Sequence, residues 1–183
     1  YTVGGDNGYA FIHVLALDDM WAHCIALPRE FARRAQLATA LTISPDGDWL
    51  YVTNALADAV AEIDTDALTV ARTGSVELAE GGGTRATHDG ADRFYFAAGR
   101  DLTSIDTSTL RVIANWKLES RISGIQAGAD AKKVYVAVGR EVLVVEPDTG
   151  RTLDEIDPEG VGRIDDLGTG MRWVDSGIVK CAC

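Results

Sequence analysis

The sequence predicts an all-β chain assembled from repeated four-stranded antiparallel units. Short runs rich in β-branched and aromatic residues are separated by Gly, Pro and Asp, the residues that tight turns require. The order of runs and turns recurs along the chain. The central tyrosines Tyr51, Tyr95 and Tyr135 lie 44 and 40 residues apart, and the pairs Gly99-Arg100 and Gly139-Arg140 lie 40 apart.

One unit, written out, has Ala40-Leu41-Thr42-Ile43-Ser44 as a first strand, then a Pro45-Asp46-Gly47 turn, and Trp49-Leu50-Tyr51-Val52-Thr53 as a second. Ala59 to Asp64 is the third, and a Thr-Asp turn leads to a fourth ending Ser75-Val76-Glu77-Leu78. The order returns at Phe94 to Ala98, Leu102 to Asp106 and Val112 to Leu118, and again at Val134 to Val138, Val142 to Val145 and Thr152 to Ile156. Four strands at a period near 40 residues is the sign of propeller blades rather than of a helical solenoid. The expected fold is therefore a β-propeller arc, with about three complete blades and a partial blade at each end.

In chain order, residues 1–27 read as a partial blade, beginning with Tyr1-Thr2-Val3 as a second strand, Phe11 to Asp18 as a third and Ala22 to Leu27 as a fourth. Residues 28–36 are a polar connector, long enough for one helical turn and short of a stable helix. Residues 37–78, 85–118 and 122–156 are the three blades, and Glu80 to Thr84 joins the first two of them as a glycine-rich loop. A glycine run can cradle a phosphate where a helix follows a strand, but no helix pattern follows Gly81-Gly82-Gly83, so a loop is expected. Residues 161–183 read as the start of a further blade or as a closing strand. Propellers close with about 4 to 8 blades. The expectation is a piece of a larger ring from a longer reading frame; the alternative is a four-bladed ring in which the strand near Ile164 completes the N-terminal blade.

Tyr51-Val52-Thr53-Asn54 carries the signature of the YVTN family of β-propeller repeats, and the chain resembles that family together with WD40-like and quinoprotein amine dehydrogenase-like propellers. The later repeats keep the aromatic residue and its apolar flanks and replace the Thr-Asn. The resemblance implies a non-catalytic binding or scaffold module, extracytoplasmic (periplasmic, secreted or cell-surface), contacting a protein or a cell-surface ligand. Its alternative implication is part of a propeller enzyme, either a quinoprotein dehydrogenase-like subunit or a lactonase-like ring. A fold of this kind specifies architecture far better than chemistry.

Composition narrows the partners. At 183 residues with 46% hydrophobic content the chain has enough apolar surface for a core, and the formal net charge of −11 argues against nucleic acid, whose phosphates need clustered Lys and Arg. No apolar run approaches the roughly 20 residues that span a bilayer. The longest, Phe11 to Leu17, is interrupted by His13 and has strand length.

The residues able to carry chemistry are few, and the residues alone assign no catalytic, cofactor-binding or metal-binding site. His13, His23 and His88 are the histidines. His13 and His23 fall on neighbouring strands beside Cys24, but successive strand residues point to opposite faces, so His23 and Cys24 are not expected to share a metal. Cys181 and Cys183 would lie on one face of a strand, where two thiolates could bind a soft metal or bridge to another chain, yet the ligands that would complete a zinc site are missing nearby. Three cysteines do not describe a disulfide framework. Asp64, Asp106 and Asp148, each followed by Thr, recur at the third-to-fourth strand turn and are expected to close it by accepting backbone N–H groups. Asp46, Asp89 and Asp130 read the same way in the preceding hairpin. A turn is needed in every blade and an active site only once, so recurrence argues for structure. Asp165 and Asp166 diverge as strand neighbours, and Trp49, Trp116 and Trp173 are expected to pack between sheets.

Overall fold

The computed structural model of the chain describes residues 2–4, 8–32, 38–78, 84–160 and 162–167. Its first sheet has three strands, β1 (Thr2–Gly4), β2 (Phe11–Ala16) and β3 (Trp21–Ala26), in that order. A short 3-10 turn, Arg29–Ala32, follows. The connector read as polar carries one apolar anchor, Phe31, which is fully buried.

Three four-stranded antiparallel meanders come next. They are β4 (Thr39–Ile43), β5 (Trp49–Asn54), β6 (Ala59–Asp64) and β7 (Thr69–Ser75); β8 (Arg85–His88), β9 (Arg93–Ala98), β10 (Asp101–Asp106) and β11 (Arg111–Lys117); and β12 (Ile122–Ala127), β13 (Val134–Val138), β14 (Glu141–Val145) and β15 (Thr152–Ile156). Within each sheet the strands pair in sequence order. The fourth strand of the first meander ends at Ser75 rather than Leu78: Val76 and Leu78 turn inward and are buried, their N–H groups donating to the carbonyl and carboxylate oxygens of Asp58.

Alternation along the central strands explains how the sheets stack. On β5, Leu50 and Val52 join a core shared with Ile12, Val14 and Ile25 of the first sheet, while Tyr51 joins Phe94, Phe96 and Ile105 of the next. On β9, Phe94 and Phe96 face backward and Tyr95 and Ala97 face forward into a core with Val134 and Val136. Each inner sheet is thus buried on both faces, and its central strands read as nearly continuous apolar runs for that reason.

The Gly-Arg pairs make two-residue hairpins whose first residue has positive φ, 61° at Gly99 and 64° at Gly139. The Gly99 carbonyl accepts the N–H of Ile122, the first residue of the next sheet, at 2.8 Å, and the Gly139 carbonyl accepts that of Ile164 at 2.7 Å. Residues 162–167 have no strand assignment, but this bond sets Ile164 against the β13–β14 hairpin as Ile122 is set against the β9–β10 hairpin. A side chain at Gly124 would run into the Asp166–Leu167 backbone, so the glycine permits that close passage.

Asn54, the last residue of the Tyr-Val-Thr-Asn signature, has a structural duty. Its Oδ1 accepts the N–H groups of Leu56 and Ala57, closing the β5–β6 turn, and its Nδ2 donates to the Phe31 carbonyl and to Thr39 Oγ1, each at 3.1 Å. Buried amides need partners, and this one ties connector, first strand and turn together.

Candidate functional site

An antiparallel meander puts its first-to-second and third-to-fourth hairpins at the same end. At that end a cleft of about 490 Å³ opens between the β4–β7 and β8–β11 sheets. Pro45, Asp46 and Trp49 line one wall, His88, Gly90 and Ala91 the other, and Thr107 and Ser108 the rim. Tyr51, Glu62 and Arg72 form its floor, three residues directly opposed on neighbouring strands.

The floor is held by charge. Arg72 Nε and Nη2 donate to the two Glu62 carboxylate oxygens, each at 2.7 Å, a bidentate pairing of the strong kind. The same guanidinium crosses to the next sheet, donating to the carbonyls of Thr107 and Ser108. Tyr51 stacks on Phe94 with ring centroids 4.8 Å apart and planes 20° apart. Burial first, and then the negative charge of Glu62, push the Tyr51 phenol up to about 12.

His88 closes the opposite wall. Its side chain is only 6% exposed, and its Nδ1 accepts the Gly90 N–H at 2.9 Å, which puts the ring proton on Nε2. Burial lowers its pKa against the raising effect of Asp89, Asp46 and Asp92, so the ring is held neutral. Among the described residues no hydrogen bond engages Nε2.

Comparison between the repeats shows what is particular to this seam. In the β8–β11 sheet, Tyr95, Ser104 and Ala114 occupy the positions of Tyr51, Glu62 and Arg72, and in the β12–β15 sheet Tyr135, Val144 and Asp154 do. The Tyr95 hydroxyl and Ser104 Oγ are buried without hydrogen-bond partners. The next seam is instead stapled at its rim by Arg93 and Asp148, 2.7 Å apart.

That contact corrects the reading of Asp148 as a turn-closing acid. Asp64 Oδ1 accepts the N–H groups of Asp66 and Ala67, and Asp106 Oδ1 accepts that of Thr109 and the hydroxyls of Ser108 and Thr109. In the third meander the equivalent position is Glu146, which accepts the Thr149 hydroxyl and whose carbonyl accepts the Gly150 N–H as that of Asp106 accepts Leu110. The longer acid does the turn's work, which leaves Asp148 two residues on to reach Arg93.

In the first-to-second hairpins, Asp46 accepts Asp48 N–H and Asp130 accepts Lys132 N–H, each at 3.1 Å. Asp89 accepts Ala91 and Arg93 N–H from the position that Ser44 holds in the preceding meander. His13 and Cys24 are directly opposed, with Nδ1 and Sγ 3.5 Å apart, whereas His23 is opposed to Val14 on the other face. Asp165 and Asp166 part company, the first to Arg163 and the second to Arg85. Trp49 and Trp116 are half-buried against the inter-sheet cores. Cys181, Cys183, Trp173 and Gly81 to Gly83 lie outside the described residues. Among the described residues no group of three His, Cys, Asp or Glu side chains is placed to hold a metal ion, and no helix is long and apolar enough to cross a membrane.

The Glu62–Arg72 pair is the feature of the cleft that motif reading missed. Its signal was present: an acid in the middle of Ala59-Val60-Ala61-Glu62-Ile63, where the equivalent strands carry Ser or Val.

No protein-family model matches the chain, and no curated protein matches it. Among solved structures it is similar to hydrazine synthase of Kuenenia stuttgartiensis, with 20% identity and a TM-score of 0.56 over 67% of this chain and 36% of that one. It is also similar to the RRP9 WD40 repeats, with 10% identity and a TM-score of 0.54 over 69% of this chain and 41% of that one. The chain thus spans well under half the length of either. At such identities the likeness is one of fold, and the fold is that of a β-propeller arc.

Proposed function

We propose that the chain is a YVTN-like propeller repeat module acting as a non-catalytic, extracytoplasmic binding domain, with the cleft between the β4–β7 and β8–β11 sheets as its ligand site. The observation that carries this reading is the Glu62–Arg72 pair. It occurs at one seam while its equivalents are Ser104–Ala114 and Val144–Asp154, so the propeller architecture does not require it. Both carboxylate oxygens are occupied by Arg72, which leaves Glu62 poorly placed to move a proton to or from a substrate. What the pair does well is hold a rigid polar floor under an open cleft. The extracytoplasmic assignment rests on the resemblance carried by Tyr51 to Asn54.

The test is an activity assay of the purified protein against lactones, with and without divalent metal ions, combined with labelling of whole host cells by a membrane-impermeant amine reagent. The expected result is no turnover above the protein-free rate, together with labelling in intact cells. Turnover that scales with protein and disappears in His88→Ala would overturn the non-catalytic reading, and labelling only after lysis would overturn the location.

A further inference from the structure

The two ends of the arc are complementary. In the first sheet Leu27 N–H donates to the carbonyl of Ala10, just before β2, as Val76 N–H does to Asp58 before β6 and Leu118 N–H to Arg100 before β10. Met20 has a positive φ of 55°, and Leu68 and Leu110 have 53° at the same place in their turns. These matches make β1, β2 and β3 the second, third and fourth strands of a meander, and among the described residues no first strand pairs with β1. Residues 162–167 are the converse. Ile164 N–H donates to Gly139 as Ile122 N–H does to Gly99, and Arg85 reaches Asp166, so the segment passes β12 where a further first strand belongs, with no sheet of its own.

The faces match as well. Each inner seam packs the forward face of one sheet on the backward face of the next. Phe11, His13 and Leu15, with Ala26, Cys24 and Ala22 opposed to them, form the backward face of the first sheet, since Ile12, Val14 and Ile25 take the other side. The residues equivalent to Leu15, Ile63 on β6 and Ile105 on β10, are fully buried against the preceding sheet, whereas Leu15 is half-buried. Met20 is 88% exposed where its equivalent Leu110 is buried against Gly74 of the preceding sheet. At the other end of the arc Tyr135 and Val142 are half-buried on the forward face of the β12–β15 sheet, with Val134, Val136 and Leu143 on its other side.

We infer that the chain assembles head to tail with a second copy of itself. Each copy lays residues 162–167 along β1 of the other, as β4 lies along β5, and sets its β12–β15 forward face against the other's first sheet. Strand addition covers a bare sheet edge and an apolar face in one step. A head-to-tail contact stays finite only where the rotation closes. Two copies make a ring of about eight four-stranded sheets, within the about 4 to 8 at which propellers close. The cleft between the β4–β7 and β8–β11 sheets lies at an inner seam, so this inference stands apart from the binding reading.

Sedimentation equilibrium of the whole chain tests it. The expected mass is twice the 19.5 kDa of one chain. Met20→Glu at one end and Val142→Glu at the other are each expected to give single chains, the dissociation constant rising about a hundredfold or more because each junction would bury an unpaired carboxylate. Mixed in equal amounts, the two variants are expected to recover a dimer held by one junction, the one that joins two unaltered ends; an unfolded variant could not do this. A mass of one chain for the unaltered protein would overturn the inference and leave these ends to further repeats of a longer polypeptide. A dimer that survives either substitution, or a mixture that stays as single chains, would overturn it as well.

Discussion

Glu62 keeps only 7% of its side-chain exposure, in the middle of a strand where its neighbours Ala59 to Ala61 and Ile63 are apolar and buried. A carboxylate so placed needs its partner more than the partner needs it, because Arg72 keeps 41% and can fall back on water. The two halves of the pair should therefore differ on removal. Arg72→Met, which strands the acid and breaks the bonds to Thr107 and Ser108, is expected to lower stability by about 2–4 kcal/mol. Glu62→Gln is expected to lower it by only about 1 kcal/mol. Urea denaturation of both variants checks the order, and an equal loss would mean that burial is not what sets it. Tyr95 gives a second residue-scale expectation. Burial, and then the charge of Asp89, push its phenol up to about 12, as burial and Glu62 do for Tyr51. The unfolded chain loses these protons near pH 10 and the folded chain near 12, so their contribution is complete below 10 and fades as the pH rises between those values. Tyr95→Phe should remove part of that alkaline loss. At neutral pH it should be neutral or stabilising by up to about 1 kcal/mol, since the hydroxyl it deletes has no partner.

At the scale of elements, hairpins set the register, and their left-handed positions were only partly legible. Gly47 and Gly90 follow Asp in the expected way, with φ of 85° at each, but Ala131 takes the same role at φ 57° with a Cβ in place. Ala131→Gly should raise the urea midpoint by the equivalent of about 0.5–1 kcal/mol, the relief of that strain. Gly150 is the opposite case. Its φ is 71°, and a side chain there would run into the Trp116 ring, so Gly150→Ala should lose more stability than Gly139→Ala, where φ is 64° and the space is open. Strand identity was readable because β-branched and aromatic runs bracketed by turn residues have few alternatives. The role of Asp148 was not, because the motif Asp-Thr recurs two residues late in the third meander and Glu146 takes over the turn. Local sequence shows that a turn acid exists; which acid it is depends on the hairpin register.

For the whole molecule, the period near 40 residues was enough to predict four-stranded propeller blades, and the packing of Phe94, Phe96 and Tyr51 across one seam and Tyr95 across the next shows how those sheets stack. The cleft was not predicted, because it is assembled from Asp46, Glu62 and His88, residues that no short motif joins and that meet only when two sheets pack. Glu62 still left a trace as a break in the repeat, and repeat-breaking residues are the place to look for function in a fold whose recurring residues serve structure. The claim that this seam is the binding site is tested most directly by the indole N–H resonances of the four tryptophans, assigned with Trp49→Phe and Trp116→Phe. Titration with capped tripeptides carrying acidic, basic, aromatic or neutral central residues is predicted to move the Trp49 resonance saturably with at least one of them and to leave Trp116 in place. Saturable binding with an unmoved Trp49 would put the ligand elsewhere and contradict the account.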